Sequence, residues 1–113
     1  MPRDSETLLD VAKAARLVIE FTRGMNQDAF LHDVKTQSAV LHQLLILGEA
    51  AKRLSKEFRA SNPGVPWSLI AGMHDKLIHE YNEVDLDEVW RTVQRDIPNL
   101  LDLLEPLLPR EEG

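Results

Sequence analysis

A long helical periodicity between residues 34 and 59 constrains the fold more than any other feature of the sequence. Its apolar residues recur at alternating steps of four and three, which places them on one face of an α-helix. They are Val40, Leu44, Leu47, Ala51, Leu54 and Phe58, with Leu41, Leu45 and Ile46 widening the stripe. So wide an arc needs two packing surfaces, one inside a bundle and the other a candidate contact between subunits. Gly48, inside this helix, predicts a close approach by another helix.

The remaining sequence also has helical spacing, and no stretch shows the alternation of a β-strand. Side chains suited to begin a helix occur at Asp4 or Ser5, Asn26, Asp33 and Asp85. Gly24 and the segment Asn62–Pro66 are predicted breaks. We therefore expect residues 1–113 to form one all-α antiparallel helical bundle, with four main helices plus a short one.

The predicted helix from Trp67 to Tyr81 contains the most unusual side chains of the sequence. Its expected buried stripe is Trp67, Ile70, His74, Leu77 and Tyr81, in which a histidine takes an apolar position. The final helix should begin at Asp85, with Glu88 completing a capping box. Pro98 should kink that helix, because proline lacks a backbone N–H.

Composition limits the classes of function. The chain has no cysteine, which argues against a disulfide framework and favours a reducing, cytoplasmic environment. We find no signal-peptide pattern and no apolar run of membrane-spanning length, so no membrane association is expected. The net charge of −6 argues against indiscriminate nucleic-acid binding, although a local basic patch remains compatible with it.

His79 is the best candidate for chemistry, with Tyr81, His74 and Lys76 close to it in sequence. No two histidines have the helical metal-binding spacing, so neither a metal site nor a cofactor is expected. Histidine can move a proton in phosphodiester cleavage, whereas the alternative is a structural imidazole at a helix end. His74 and His79 lie about 140° apart around an ideal helix, so both serve one site only at a distorted helix end or between two copies of the chain.

Basic residues near the end of the long helix form a second candidate surface. Lys52, Lys56 and Arg59 share one outer face of the predicted helix, with Arg53 beside them. Such a face is either a solvated surface with cations near a helix C-terminus or a strip that contacts phosphate. The RNA-binding candidates are Lys52, Arg53, Lys56 and Lys76.

Over nearly its whole length the chain resembles the HEPN superfamily, specifically its HepT-like toxins. The matching segments are Arg3-Asp4, residues 30–33, residues 37–40, Leu47-Gly48-Glu49-Ala50-Ala51-Lys52-Arg53-Leu54, Pro66-Trp67 with Ile70-Ala71-Gly72-Met73, residues 75–81 and residues 84–90. The resemblance implies a HEPN-like helical fold and a metal-independent endoribonuclease that acts on RNA.

The family motif is an arginine, four intervening residues, a histidine, any residue and a tyrosine. By resemblance, His79 and Tyr81 are the motif histidine and tyrosine, and His74 stands where the family has its arginine. The resemblance also implies a homodimer that joins two motifs in one cleft. It implies a partner as well, an MNT-type nucleotidyltransferase antitoxin that silences the toxin by adenylation of Tyr81.

The histidine at position 74 weakens the expectation of activity but not that of the fold. Arginine is always charged and offers a planar fork to phosphate, whereas histidine is charged only when protonated. Three hypotheses remain open: an attenuated RNase toxin, a catalytically inactive module that binds a nucleotidyltransferase through its acidic face, and a structural helical dimer. Lys76 is the nearest residue that could take over the missing arginine's role.

Overall fold

The computed structural model of the protein describes residues 2–109. Its helices are α1 (Pro2–Thr22), α2 (Gln27–Leu31), α3 (Val34–Arg53), α4 (Lys56–Ser61), α5 (Trp67–His79), α6 (Leu86–Arg91) and α7 (Ile97–Leu104). A π-helical segment, Thr92–Asp96, joins α6 to α7, and 3-10 turns occupy Tyr81–Glu83 and Glu105–Leu107. No strand occurs within these residues, so the predicted all-α fold is confirmed. No helix among them is both long and apolar enough to cross a membrane.

Helix α3 is the centre of the bundle. It packs against α1 on one side and α5 on the other, and α1 also packs against α7. The wide apolar arc of α3 is therefore used within the chain, where Leu44 and Leu47 are almost fully buried. Only the margin of this arc reaches the surface, at Ile46, which is 37% exposed. The arc of α3 thus needs no second subunit to cover it.

Three of the predicted caps are present. The side chains of Asn26 and Asp33 accept hydrogen bonds from the backbone N–H groups of Ala29 and Thr36, at 2.8 and 3.0 Å. The bonds from Thr36 also lower the pKa of the Asp33 carboxyl. Asp85 begins α6 in the same way.

The reciprocal half of the capping box at α6 is missing. Asp85 accepts hydrogen bonds from the N–H groups of Asp87 and Glu88. The Glu88 carboxylate does not turn back to Asp85 but accepts two bonds from Lys76, at 2.9 and 3.1 Å. Glu88 therefore links α6 to α5.

The long central helix is shorter than predicted. It ends at Arg53, and Leu54 has an extended backbone with ψ of 143°. Ser55 then caps the separate helix α4 through a bond from the Phe58 N–H to its hydroxyl oxygen. Because Ser55 donates its own N–H and hydroxyl to Asp4, at 2.9 and 2.6 Å, its N–H is not available to continue α3.

Asp4 is therefore not the N-cap of the first helix, contrary to prediction. It lies within the first turn of α1 and is only 9% exposed, while Ser5 lies in the same turn at the surface. The two hydrogen bonds from Ser55 lower the pKa of the Asp4 carboxyl. Asp4 thus joins the beginning of α1 to the break between α3 and α4.

The predicted interruption at Pro98 takes the form of a π-helical segment. Pro98 lies in the first turn of α7, and the Ile97 N–H bonds to the carbonyl of Thr92, five residues earlier. A proline at position 98 cannot donate to the carbonyl of Gln94, and widening the preceding turn accommodates this loss.

Two glycines within helices make a matched test of the packing. A Cβ atom built on Gly48 would lie 2.4 Å from Cβ of His74, whereas one built on Gly72 meets nothing within 4 Å. Gly48→Ala should destabilise the fold, because overpacking costs about 1–3 kcal/mol and so close a contact belongs at the upper end. Gly72→Ala should instead stabilise it by about 1 kcal/mol through helix propensity. Urea unfolding of both variants checks the prediction, and equal effects would contradict it.

Candidate functional site

The candidate site lies where α5 ends. The helix stops at His79, and the Glu80 N–H closes it by donating to the carbonyl of Lys76 at 2.9 Å. Tyr81 opens the following 3-10 turn and is 46% exposed. The prediction that Tyr81 belongs to the buried stripe is therefore wrong, because the helix ends two residues before it.

His74 is buried between α5 and α3, with 4% of its surface exposed. Its Nε2 lies 2.8 Å from Oε2 of Glu49, and its Nδ1 lies 3.5 Å from Oδ1 of Asp75. A carboxylate only accepts hydrogen bonds, so Nε2 of His74 donates to Glu49. The ring also packs against Gly48, whose missing side chain leaves it room.

His74 and His79 leave α5 in different directions. His74 faces α3 and is buried, whereas His79 is exposed at the helix end beside the exposed Tyr81. The structure therefore keeps the two imidazoles of one chain apart, in agreement with their separation around the helix. Sequence reasoning did not identify Glu49 as the partner of His74, although the preceding Gly48 had indicated a close helix contact at this level.

Two of the four RNA-binding candidates take part in ion pairs. The Lys52 ammonium lies 2.8 Å from Asp75, and that of Lys76 lies 2.9 Å from Glu88. The hydrogen bond from Lys52, followed by that from His74, lowers the pKa of the Asp75 carboxyl. The bond to Glu88 raises the pKa of Lys76. Each of the two lysines thus already lies opposite a carboxylate.

The basic strip predicted after residue 52 is not one helical face. Lys52 and Arg53 end α3, whereas Lys56 and Arg59 belong to α4, beyond the break at Leu54. Arg53 and Lys56 are exposed and, among residues 2–109, neither forms an ion pair. Of the four RNA-binding candidates, these two are the ones that do not lie opposite a carboxylate of the described residues.

The surroundings of the site are acidic. Carboxylates at or near the surface follow α5 directly and continue into α6, at Glu80, Glu83, Asp85, Asp87 and Glu88. Within the described part of the chain, no three His, Cys, Asp or Glu side chains are grouped so that they could hold a metal ion. An acidic surface of this kind repels phosphate groups.

The described residues define an all-α helical bundle, and comparison with known proteins identifies the family. The family model described as "Ribonuclease HepT-like" matches residues 11–107. The chain belongs to this HepT-like ribonuclease family, which is related to the HEPN proteins.

Individual relatives agree with this assignment. A protein named "Probable ribonuclease HepT" from Thermococcus cleftensis is 46% identical over 100 residues, which cover 88% of this chain and 91% of that protein. A protein named "Putative RNase" from Methanocaldococcus jannaschii is 38% identical over 106 residues, covering 94% and 88% of the two chains. No solved structure gives a significant match.

Proposed function

We propose that this protein is a HEPN-type metal-independent endoribonuclease toxin of a toxin–antitoxin pair, attenuated by His74. The observation that carries the proposal is the exposed pair His79 and Tyr81 at the end of α5, in a chain whose relatives carry ribonuclease names. The resemblance to HepT-like toxins aligns His79 and Tyr81 with the histidine and tyrosine of the family motif. The substrate is RNA.

The proposed chemistry at His79 is proton transfer. A neutral imidazole takes the proton of an RNA 2′-hydroxyl while that oxygen attacks the adjacent phosphorus. The bond from phosphorus to the 5′-oxygen breaks, which leaves a 2′,3′-cyclic phosphate, and the leaving oxygen takes up a proton from water. His79 is exposed at its helix end, so a phosphodiester can approach it without rearrangement of the core.

The proposed active unit is a homodimer. One chain presents only one exposed motif, and its residue 74 faces α3 rather than His79. A two-fold arrangement brings the same surface of each copy together and pairs two His79 imidazoles in one cleft. Ile78, which is 53% exposed beside His79, supplies apolar surface for such a contact.

The attenuation follows from the contacts of His74. Its ring donates to Glu49 and is 4% exposed, so it offers no donor to a phosphate at the surface. An arginine at this position extends further from α5 and keeps its charge at every physiological pH. Lys76 does not replace it freely, because Lys76 already donates two bonds to Glu88.

The proposed regulation is adenylation of Tyr81 by an MNT-type nucleotidyltransferase antitoxin. The phenol oxygen attacks the α-phosphorus of ATP, pyrophosphate leaves, and the phenol proton passes to a base of the antitoxin. Tyr81 is 46% exposed on a 3-10 turn, where another protein can reach it. The added phosphate brings negative charge next to His79 and repels RNA.

A second candidate function is a catalytically inactive module that binds the nucleotidyltransferase. The bond between His74 and Glu49 favours it, since that bond uses the side chain in a structural role. The acidic surface after α5 would serve such binding better than RNA cleavage.

Substitution of His74 separates the two candidates. His74→Arg should increase metal-free cleavage of RNA, because a preorganised donor to the transition state contributes about 3–4 kcal/mol, or two to three orders of magnitude in rate. The matched control is His74→Arg combined with His79→Ala, which should return cleavage to background. If His74→Arg cleaves no faster than the parent chain, the inactive-module hypothesis replaces the attenuated toxin.

The adenylation hypothesis is tested on Tyr81. When the chain is incubated with ATP, magnesium and the nucleotidyltransferase, its intact mass should rise by AMP groups, and Tyr81→Phe should abolish the increase. The phenylalanine ring keeps the shape of the exposed side chain but has no attacking oxygen. An undiminished mass increase in Tyr81→Phe would assign the modification to another residue.

The dimer is tested by light scattering at micromolar concentration, with the mass of two chains expected. Ile78→Asp should lower the mass to one chain, because a charge replaces exposed apolar surface beside His79. Val34→Asp is the control, since Val34 is 71% exposed and belongs to α3, away from this helix end. A parent chain that is monomeric would remove the composite cleft.

A further inference from the structure

An open groove of about 770 Å³ runs along α5, with the π-segment and α7 forming its opposite wall and α3 its floor. The floor is apolar, and it is formed by Leu47 of α3 together with the inward-facing side chains of Leu77 in α5 and Leu100 in α7, which all belong to the core. Leu69 and Leu103 form the two edges and are 74% and 42% exposed. Within residues 2–109, the space between α5 and α7 is thus left open.

The rim of this α5–α7 groove is acidic. Five carboxylate side chains line it, and they are Glu80, Glu83, Asp85, Glu88 and Asp96. Among residues 2–109, the only cation that lines it is Lys76, which donates two hydrogen bonds to Glu88. The rim therefore attracts positive charge, while the floor favours apolar side chains.

Gly72 gives the α5 wall of the groove a smooth surface. It lies in the middle of α5, lines the groove and has nothing within 4 Å of an added Cβ. Glycine at such a position costs about 1 kcal/mol relative to alanine. The cost at Gly48 is explained by the His74 side chain packed on it, but no atom of residues 2–109 fills the space beside Gly72. A glycine of this kind permits the backbone of another molecule to approach closely.

The length of the groove fits a helix. Its lining residues on the α5 side run from Pro66 to Glu80, the full length of a helix of 13 residues. That helix spans about 20 Å, so an occupant of three to four turns would contact the whole groove.

From these features we infer that the α5–α7 groove binds a basic amphipathic helix of a partner protein. Leucine-like side chains of that helix, spaced three and four residues apart, pack on the apolar floor of the groove. The backbone of the helix passes over Gly72. Its lysines or arginines pair with the carboxylates of the acidic rim. The inference does not depend on RNase activity, because the groove lining contains neither His79 nor Tyr81.

A second copy of this chain is a poorer occupant than a basic helix. The chain has a net charge of −6, and a two-fold contact through the groove would bring two acidic rims together. The face proposed for the homodimer carries Ile78, which is not part of the groove. The homodimer contact proposed at Ile78 therefore does not require the groove.

The test uses a fluorescein-labelled synthetic helix of about 15 residues with leucines on one face and lysines elsewhere. Fluorescence anisotropy with the full chain should show saturable binding. A matched peptide with glutamate in place of lysine should not bind. Equal binding of both peptides would overturn the charge complementarity and with it the inference.

Substitutions at Gly72 test the position of the helix. Gly72→Leu should weaken peptide binding about tenfold or more by filling the groove, while its side chain meets open space in the folded chain. Ala60→Leu, at an exposed position of α4, is the control and should leave binding unchanged. Should Gly72→Leu disturb the helical circular dichroism, Leu69→Asp serves instead, since Leu69 is 74% exposed near the N-terminus of α5.

Charge reversal at the rim separates the groove from general attraction to an acidic protein. One double variant combines Glu80→Lys with Glu83→Lys at the rim, and its control combines Glu6→Lys with Asp10→Lys on α1, which changes the net charge equally. The rim variant should weaken binding of the basic peptide about two- to fivefold more than the control. Equal weakening would mean that binding is non-specific. If Gly72→Leu or Leu69→Asp instead converts a dimer to a monomer in light scattering, the occupant is a second copy, and the inference is overturned.

Discussion

The contact between Gly48 of α3 and His74 of α5 governs the arrangement of the rest of this molecule. A Cβ at residue 48 would overlap the Cβ of His74, so α5 can approach α3 closely only at a glycine. The bond from His74 to Glu49 and the ion pair from Lys52 to Asp75 link the same two helices on either side of that contact. Together they hold α5 at its position and rotation on the bundle.

The rotation of α5 has two functional consequences. It buries His74 against α3, and it leaves His79 exposed to solvent at the C-terminal end of α5. Because α5 ends at His79, Tyr81 is exposed and does not belong to the buried apolar stripe that the helical spacing predicted. The three residues that the resemblance assigns to the family motif are thereby divided, with His74 in the core and with His79 and Tyr81 exposed at the surface.

The same rotation of α5 separates two surfaces for which different binding partners are proposed. One carries Ile78, His79 and Tyr81, and it is the surface proposed for RNA, for adenylation and for a second copy. The other carries Gly72 and the apolar groove with its acidic rim, which repels phosphate. The partner helix inferred for the groove would contact a surface that does not include His79 or Tyr81, since neither lines the groove.

The sequence by itself determined the helical class, the caps at Asn26, Asp33 and Asp85, and the family to which the chain belongs. These depend on local spacing and local hydrogen bonds, which a linear pattern records. The close approach at Gly48 was also foreseeable, because a glycine inside a strongly periodic helix needs a reason.

Only the tertiary structure decided how that contact is completed and where two helices end. Asp4 takes the hydrogen bonds of Ser55 from 51 residues away, and so α3 stops at Arg53 rather than continuing to residue 59. Glu49 is likewise 25 residues from His74 in sequence. Hydrogen bonds between distant residues have no periodic signature, and the free energy of satisfying a largely buried polar group outweighs the small differences in helix propensity that a sequence pattern expresses.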